Sequence, residues 1–404
     1  MNVEQLVRDS LKEMAGHTQP ASANLADRVF VLRRRRRTRR IAAVAASAAA
    51  VVAVAVGVPL LDGGGRDVRP AAVPDGRVVA HPDQSPPREL IGAGDAVMAG
   101  YSTTKTVKLP NKDWIYTPTY RLLDPGSGTY KKDDRWSFVT VAPGARTAAV
   151  LERELPATRV GLLDLASGEV KRWIPVPQGA GGATFSPDGT KLAVTTYAKN
   201  PDRAYWSAKI EVNSKMEPQR VPSRTGFTLI DVASGAGQWH KLPFWKDKDG
   251  LADNARTDLE FSHDGKYLWE PLTENPYRRY HALDGADVRT PAAEKYLMPY
   301  VEAGLSSDGK YAAGDFAGRG NEIASAIIDP LTGKMITKVP GQQLLAWADG
   351  KRLIAWGIGG DGDNEFHQRL VLVAVGSDKV QPLSGFRSPK FKGSGRWEPL
   401  FTTR

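Results

Sequence analysis

The chain contains no cysteine. That excludes disulfide staples, thiol nucleophiles, Cys-ligated zinc and a thioether lipid anchor. A fold outside the cytoplasm is free to use disulfides, but small domains need them most, and 404 residues are enough for a large core. Histidine is scarce. His17, His81, His240, His263, His281 and His367 show no H-E-x-x-H or other paired spacing, so no metal or other cofactor is expected. There is no G-x-S-x-G elbow and no P-loop. Catalysis is therefore not expected; the alternative is a hydrolase or lyase whose dispersed carboxylates meet only in the fold. A general basic surface is lacking too. The net charge is +10, but the first 40 residues carry ten Lys/Arg against four Asp/Glu, and residues 62–404 carry 45 against 41. The high pI belongs mostly to the N-terminus, and no nucleic-acid partner is expected.

Long apolar runs are absent with one exception. Arg33 to Arg40 reads RRRRRTRR, and Ile41 to Leu61 follows with 21 residues and no charge. A helix of that length rises about 31 Å, close to a bilayer core. Only a helix satisfies its own backbone in lipid, and arginines hold their side in the cytoplasm. The expectation is a single-pass cell-membrane protein with a cytoplasmic N-terminus and an extracytoplasmic C-terminal domain. A second reading stays open: Ala53 and Ala55 flank Val54 in an A-x-A pattern, which would make the span a cleaved leader.

Within residues 1–40, Val3, Leu6, Val7, Leu11 and Met14 form one helical stripe, and Ser22 precedes a second set, Leu25, Val29 and Leu32. These turns cannot make a core alone. They are either a juxtamembrane tail or a hairpin that docks on a cytoplasmic protein. Residues 62–88, with Asp62-Gly-Gly-Gly65 and five prolines, read as a linker.

From about residue 89 the chain repeats itself. TFSPDGTKLAVTTY at 184–197 returns as LEFSHDGKYLWEP at 259–271, GLSSDGKYAAGDF at 304–316 and LLAWADGKRLIAWG at 344–357, with a degenerate copy from Val139. A second phrase ends D-x-x-S/T-G: RLLDPGSG at 121, GLLDLASG at 161, LIDVASG at 229 and IIDPLTG at 327. Gly144, Gly189, Gly265, Gly309 and Gly350 stand 45, 76, 44 and 41 apart. A period in the low forties with four strands per period is a β-propeller blade. The aspartates read as turn formers that bond their own backbone before a glycine able to take positive φ.

The FSPDGxxLA phrase resembles the repeats of TolB-like and WD-type β-propellers over roughly residues 117–383. The G-H and W-D signatures of WD repeats are missing, so the TolB-like branch is the nearer. The resemblance implies an all-β propeller acting as a binding platform, and the repeats over 89–404 count to about six four-stranded blades. Five blades follow from Trp136. The sixth combines DAVMAGYS and TYRLLDPGS with RWEPLFT at 396–402, which removes the open sheet edges. A seventh blade hidden in the 76-residue gap is the other count.

Both turn types fall on one face, and the long connections on the other. These are 199–226, 244–257, 271–278, 315–324 and 357–368, and long loops on a rigid scaffold carry binding. Two of them hold Arg203, Tyr205, Trp206 and Trp245, the candidate ligand-binding residues for a protein or cell-envelope ligand. The competing reading is that the tryptophans only cap strand ends. AKIEVN at 208–213 has strand character and would make the first loop an outer hairpin. Gly359–Glu365 and 247–254 offer oxygens but lack the EF-hand spacing, and read as solvated tips.

Finally, the layout of a short helical tail, an arginine stop, an Ala/Val span and an outer sensor resembles membrane regulators of extracytoplasmic-function sigma factors in actinobacteria. That resemblance covers about 60 residues and implies a sigma factor bound by residues 1–40. The His and two Cys of the zinc-binding anti-sigma pattern are not here.

Overall fold

In the computed structural model the described residues are 77–212, 214–244, 256–272, 275–359, 365–388 and 396–404. The tail expected at 1–40, the span at 41–61, most of the linker, Trp245, the oxygen-rich tip at 247–254 and residues 360–364 of the other tip lie outside them. No helix among the described residues is long and apolar enough to cross a membrane.

The described chain is all-β, built of antiparallel meanders. β1 (Val78–Val79), β2 (Gly92–Ala93), β3 (Ala96–Lys108), β4 (Trp114–Asp124) and β5 (Thr129–Asp133) open it. β6 (Trp136–Val141), β7 (Thr147–Glu152), β8 (Ala157–Asp164), β9 (Glu169–Phe185), β10 (Lys191–Tyr197), β11 (Arg203–Val212), β12 (Lys215–Gln219), β13 (Arg224–Asp231) and β14 (Gly237–Lys241) follow. β15 (Glu260–Phe261), β16 (Tyr267–Pro271), β17 (Arg278–Ala282) and β18 (Asp287–Val288) form one sheet. β19 (Ala312–Phe316), β20 (Ala324–Ile328) and β21 (Met335–Pro340) form the next, with a bridge from Leu305 to Ala312 where a first strand would stand. β22 (Gln343–Trp347), β23 (Arg352–Ile358), β24 (Gln368–Ala374) and β25 (Gln381–Pro382) form the last meander, and β26 (Glu398–Thr403) ends the chain.

The sheet of seven strands from β6 to β14 is two meanders sharing one long strand. The first part of β9 pairs with β8 and its last part with β10. β26 does not continue the last meander. It returns to the first, pairing with β3 from Thr403 opposite Ala96 to Glu398 opposite Ser102. Meanders in series whose first sheet is completed by the last strand have the topology of a closed β-propeller.

The turns explain the repeats. The Ser186 hydroxyl donates to Asp188 (2.5 Å) and accepts from the Lys191 amide (2.8 Å), while Asp188 accepts from the Thr190 amide. Ser262 with Asp264 and Ser306 with Asp308 repeat this pattern. Gly189, Gly265 and Gly309 hold φ of 70°, 70° and 67°, the left-handed region where a side chain is strained. Asp349 caps its turn the same way, through the Lys351 and Arg352 amides, but Gly350 is not among the glycines with positive φ. In the second phrase Asp164, Asp231 and Asp329 each accept from the amide three residues on. These carboxylates are consumed by their own turns.

The core lies between adjacent sheets. Trp397, fully buried, fills the closure. Its ring lies 5.7 Å from Tyr101 on β3 and 5.3 Å from Trp356 on β23, so it joins the first sheet to the last. Its indole N–H donates to Ser85 (3.1 Å). This corrects the linker expected over 62–88. Residues 77–88 belong to the domain: Val78 pairs with Ala93, Gln84 is buried, and His81 bridges to Ser384.

Candidate functional site

Antiparallel pairing puts the first-to-second and third-to-fourth turns of each meander on one face. The remaining connections emerge on the opposite face. Two of them are hairpins that meet. β3 and β4 continue past their sheet to a tip at residues 109–113, pairing as far as Lys108 opposite Trp114. The connection between β10 and β13 is the hairpin of β11 and β12, as the strand character of 208–213 suggested. β11 then adds to the free edge of β4, with Arg203 opposite Ile115 and Ala204 opposite Trp114. The result is a small outlying sheet, β3-β4-β11-β12, which we call the crown.

One residue ties the two hairpins. Asp113, buried at the β3–β4 tip, accepts from the Trp206 amide (2.7 Å), from Arg203 Nε (2.8 Å) and from Asn111 Nδ2 (3.0 Å). The Trp206 amide contributes most to holding its carboxyl below the usual range. Burial opposes this, and Arg203 and Asn111 add to it.

The crown carries four aromatic residues, each beside a cation, with the consecutive Tyr205 and Trp206 on opposite faces of β11. Lys112 and Lys209 lie 5.2 and 5.4 Å from the Trp206 ring centre. Lys199 and Arg203 lie 5.6 and 5.3 Å from Tyr205. Lys108 lies 5.7 Å from Trp114, and Arg220 stands 4.5 Å from Tyr116. Val107, Ile210 and Met216 are exposed at 42, 42 and 44 % on the same two hairpins.

Below the crown an ionic network lines the start of the inner strands. Arg256 donates to Asp202 (2.6 Å), Asp258 (2.8 Å) and the Gly181 carbonyl (2.6 Å). Burial works against its charged form, but Asp202 and Asp258 overcome that, so it is held charged. Asp202 immediately precedes β11, and its carbonyl accepts from the Tyr116 amide (3.0 Å). The base of the crown is therefore bolted to the inner strands. Glu260, partly buried at the head of β15, is pushed up to about 7, first by removal from water and then by the Glu302 and Asp258 carboxylates, against Arg278. Gln343 donates to both oxygens of Glu302 (2.9 and 2.8 Å). No group of three or more His, Asp or Glu suited to hold a metal occurs among the described residues.

Of the expected site residues, Arg203, Tyr205 and Trp206 are together on β11. Arg203 is paired with Asp113 and lies 5.3 Å from the Tyr205 ring centre. Tyr205 and Trp206 are half-buried. Trp245, expected beside them, lies outside the described residues. Sequence reasoning missed Asp113, Trp114 and the lysines opposite. Pro110-Asn-Lys-Asp113 is a turn signal that places a hairpin tip there. The pairing of β4 with β11 carries no such signal.

No protein-family model matches this chain, and no curated protein does. Among solved structures it is similar to hydrazine synthase of Kuenenia stuttgartiensis, at 15% identity, covering 65% of this chain and 71% of that one, TM-score 0.34. It is also similar to the β-propeller domain of Cps50 (Swd1) from Myceliophteria thermophila, at 13% identity, 71% and 86% coverage, TM-score 0.37. A third is TolB from Acinetobacter baumannii, at 17% identity, 72% and 68% coverage, TM-score 0.33. At TM-scores this low the likenesses carry no weight, and the fold stands on the chain's own strand pairing.

Proposed function

We propose that this protein is a membrane-anchored, extracytoplasmic β-propeller of six blades that serves as a recognition platform, with the crown as its binding surface. The blade count follows from reading the shared strand β9 as the boundary of two blades and β26 as the inner strand of the first. The arginine run and apolar span at 33–61 support the anchor. The observation that carries the platform is the crown itself: two long connections from non-adjacent blades, built into one sheet that exposes apolar side chains and lysines. A sheet added outside a closed ring does not help close it, so its role lies at the surface. The ligand is a protein or cell-envelope component, bound without chemistry.

The test is site-specific photo-crosslinking in intact cells, with a photoreactive residue in place of Tyr205 and, as a control, of Leu331 on the short-turn face. Leu331 is 64 % exposed and Tyr205 half-buried, so the control position is the more accessible of the two. Discrete adducts from position 205 and none from 331 support the platform. Equal or absent adducts from both positions overturn it.

A further inference from the structure

The positive charge of the outer chain is concentrated in the crown. The segments 103–117 and 199–220 hold eight basic and four acidic residues, whereas 62–404 hold 45 and 41. The rest of that part is therefore balanced. Within the crown, Arg203 is paired with Asp113, and Asp202 with Arg256 from outside it. Lys105, Lys108, Lys112, Lys199, Lys209 and Lys215 are all exposed. Four of them stand 5.2 to 5.7 Å from an indole or phenol ring.

We propose that the crown binds an anionic polysaccharide, a sugar chain carrying carboxylate or phosphate at intervals. This rests on the crown being the recognition surface. A ring with an ammonium beside it offers a flat apolar surface and a positive charge within one repeat of such a polymer. The sugar supplies both complements, a C–H face for the ring and an anion for the lysine. Lysine is a mobile point charge, suited to anions spaced along a flexible chain, whereas a fixed bidentate site calls for arginine. A nucleic acid fits less well. Its binders spread cations along a track, and here the excess stops at the crown's edge.

The direction of the crown agrees. The chain enters the domain at Val78, paired to Ala93 beside the foot of β3. The tip lies at the far end of that 13-residue strand, about 40 Å away at the usual rise. The crown tip is thus at the opposite end of β3 from the point where the described chain begins.

The test uses the full chain in nanodiscs of neutral lipid, titrated with polygalacturonate, polyglycerol phosphate, neutral dextran and a single-stranded oligonucleotide of matched length. We expect at least one anionic glycan to bind and dextran not to. Affinity should fall at least tenfold from 50 to 200 mM salt, as screening of exposed charges requires. The triple change Lys108→Glu, Lys112→Glu, Lys209→Glu should abolish binding at unchanged melting temperature. Equal binding of dextran, tighter binding of the oligonucleotide, or insensitivity to the triple change overturns the proposal. If no glycan binds while crosslinking from position 205 still captures an envelope protein, the polysaccharide falls and the platform stands.

Discussion

Two joints in this molecule tie distant parts of the chain together, and they are made of opposite materials. The closure joins β26 to β3 across about 300 residues of sequence, and its centre is mostly apolar: Trp397 between Tyr101 and Trp356, with the buried Arg387 3.7 Å from the Trp356 ring and paired to Glu398 of β26 (2.8 Å). The crown joins β4 to β11 across about 90 residues, and its centre is one carboxylate, Asp113. An apolar joint holds by area and is indifferent to which polar groups are near. A polar joint holds only while each donor has its acceptor, because a buried group left alone costs more than its bond had gained. The closure is thus suited to permanence, and the crown to a surface that can be tuned or lost without unfolding the ring.

The sharpest way to break that comparison is to attack the closure. Trp397→Ala removes a fully buried indole that touches two sheets, and changes of this kind cost about 3–5 kcal/mol. We expect a large drop in denaturant midpoint together with a lower m-value, because an opened ring no longer unfolds as one unit. A mutant that unfolds with wild-type cooperativity would show that the closure is not what holds the ring shut.

Asp113→Ala attacks the other joint. It leaves the Trp206 amide without its acceptor and Arg203 without its counter-ion. We expect about 2 kcal/mol, discounted because Arg203 is 33 % exposed and finds water. The loss should be local. Hydrogen exchange should quicken at residues 203–206 and 114–116, while β22–β24 keep their protection. Binding at the crown should fall with it. A global loss of protection would mean that the crown is part of the ring's stability.

The same contrast explains what was legible in the sequence. The Ser186–Gly189 turn is local: hydroxyl, carboxylate and glycine serve bonds within five residues, so the phrase had to recur wherever the turn did. The closing strand was legible because RWEPLFT has a strand's pattern and no other place to pair. The crown was half legible. Its strand at 208–213 and its aromatic residues stand out, but the pairing of Arg203 with Asp113 on a distant hairpin carries no signal in the sequence. The inner-strand network was not legible at all. Asp202, Arg256, Asp258, Glu260 and Glu302 come from three separate stretches of chain, and nothing in their spacing predicts that they converge.

That network gives the smallest effect and the clearest sign. Glu260 is held at about 7 in the folded state, well above an ordinary glutamate, chiefly because it is withdrawn from water. Between the ordinary value and about 7 the folded state binds more protons than the unfolded one. The stabilisation from Glu260 is therefore complete in acid, below the ordinary glutamate range, and is lost as pH rises through 7. Glu260→Gln fixes the site in a neutral form. We expect it to match the wild type near pH 4 and to melt about 2 °C higher at pH 8. Thermal melts of both proteins across that range measure it. Parallel curves would mean that Glu260 is ionised at neutral pH and that the nearby Arg278 outweighs both the cost of burial and the two nearby carboxylates.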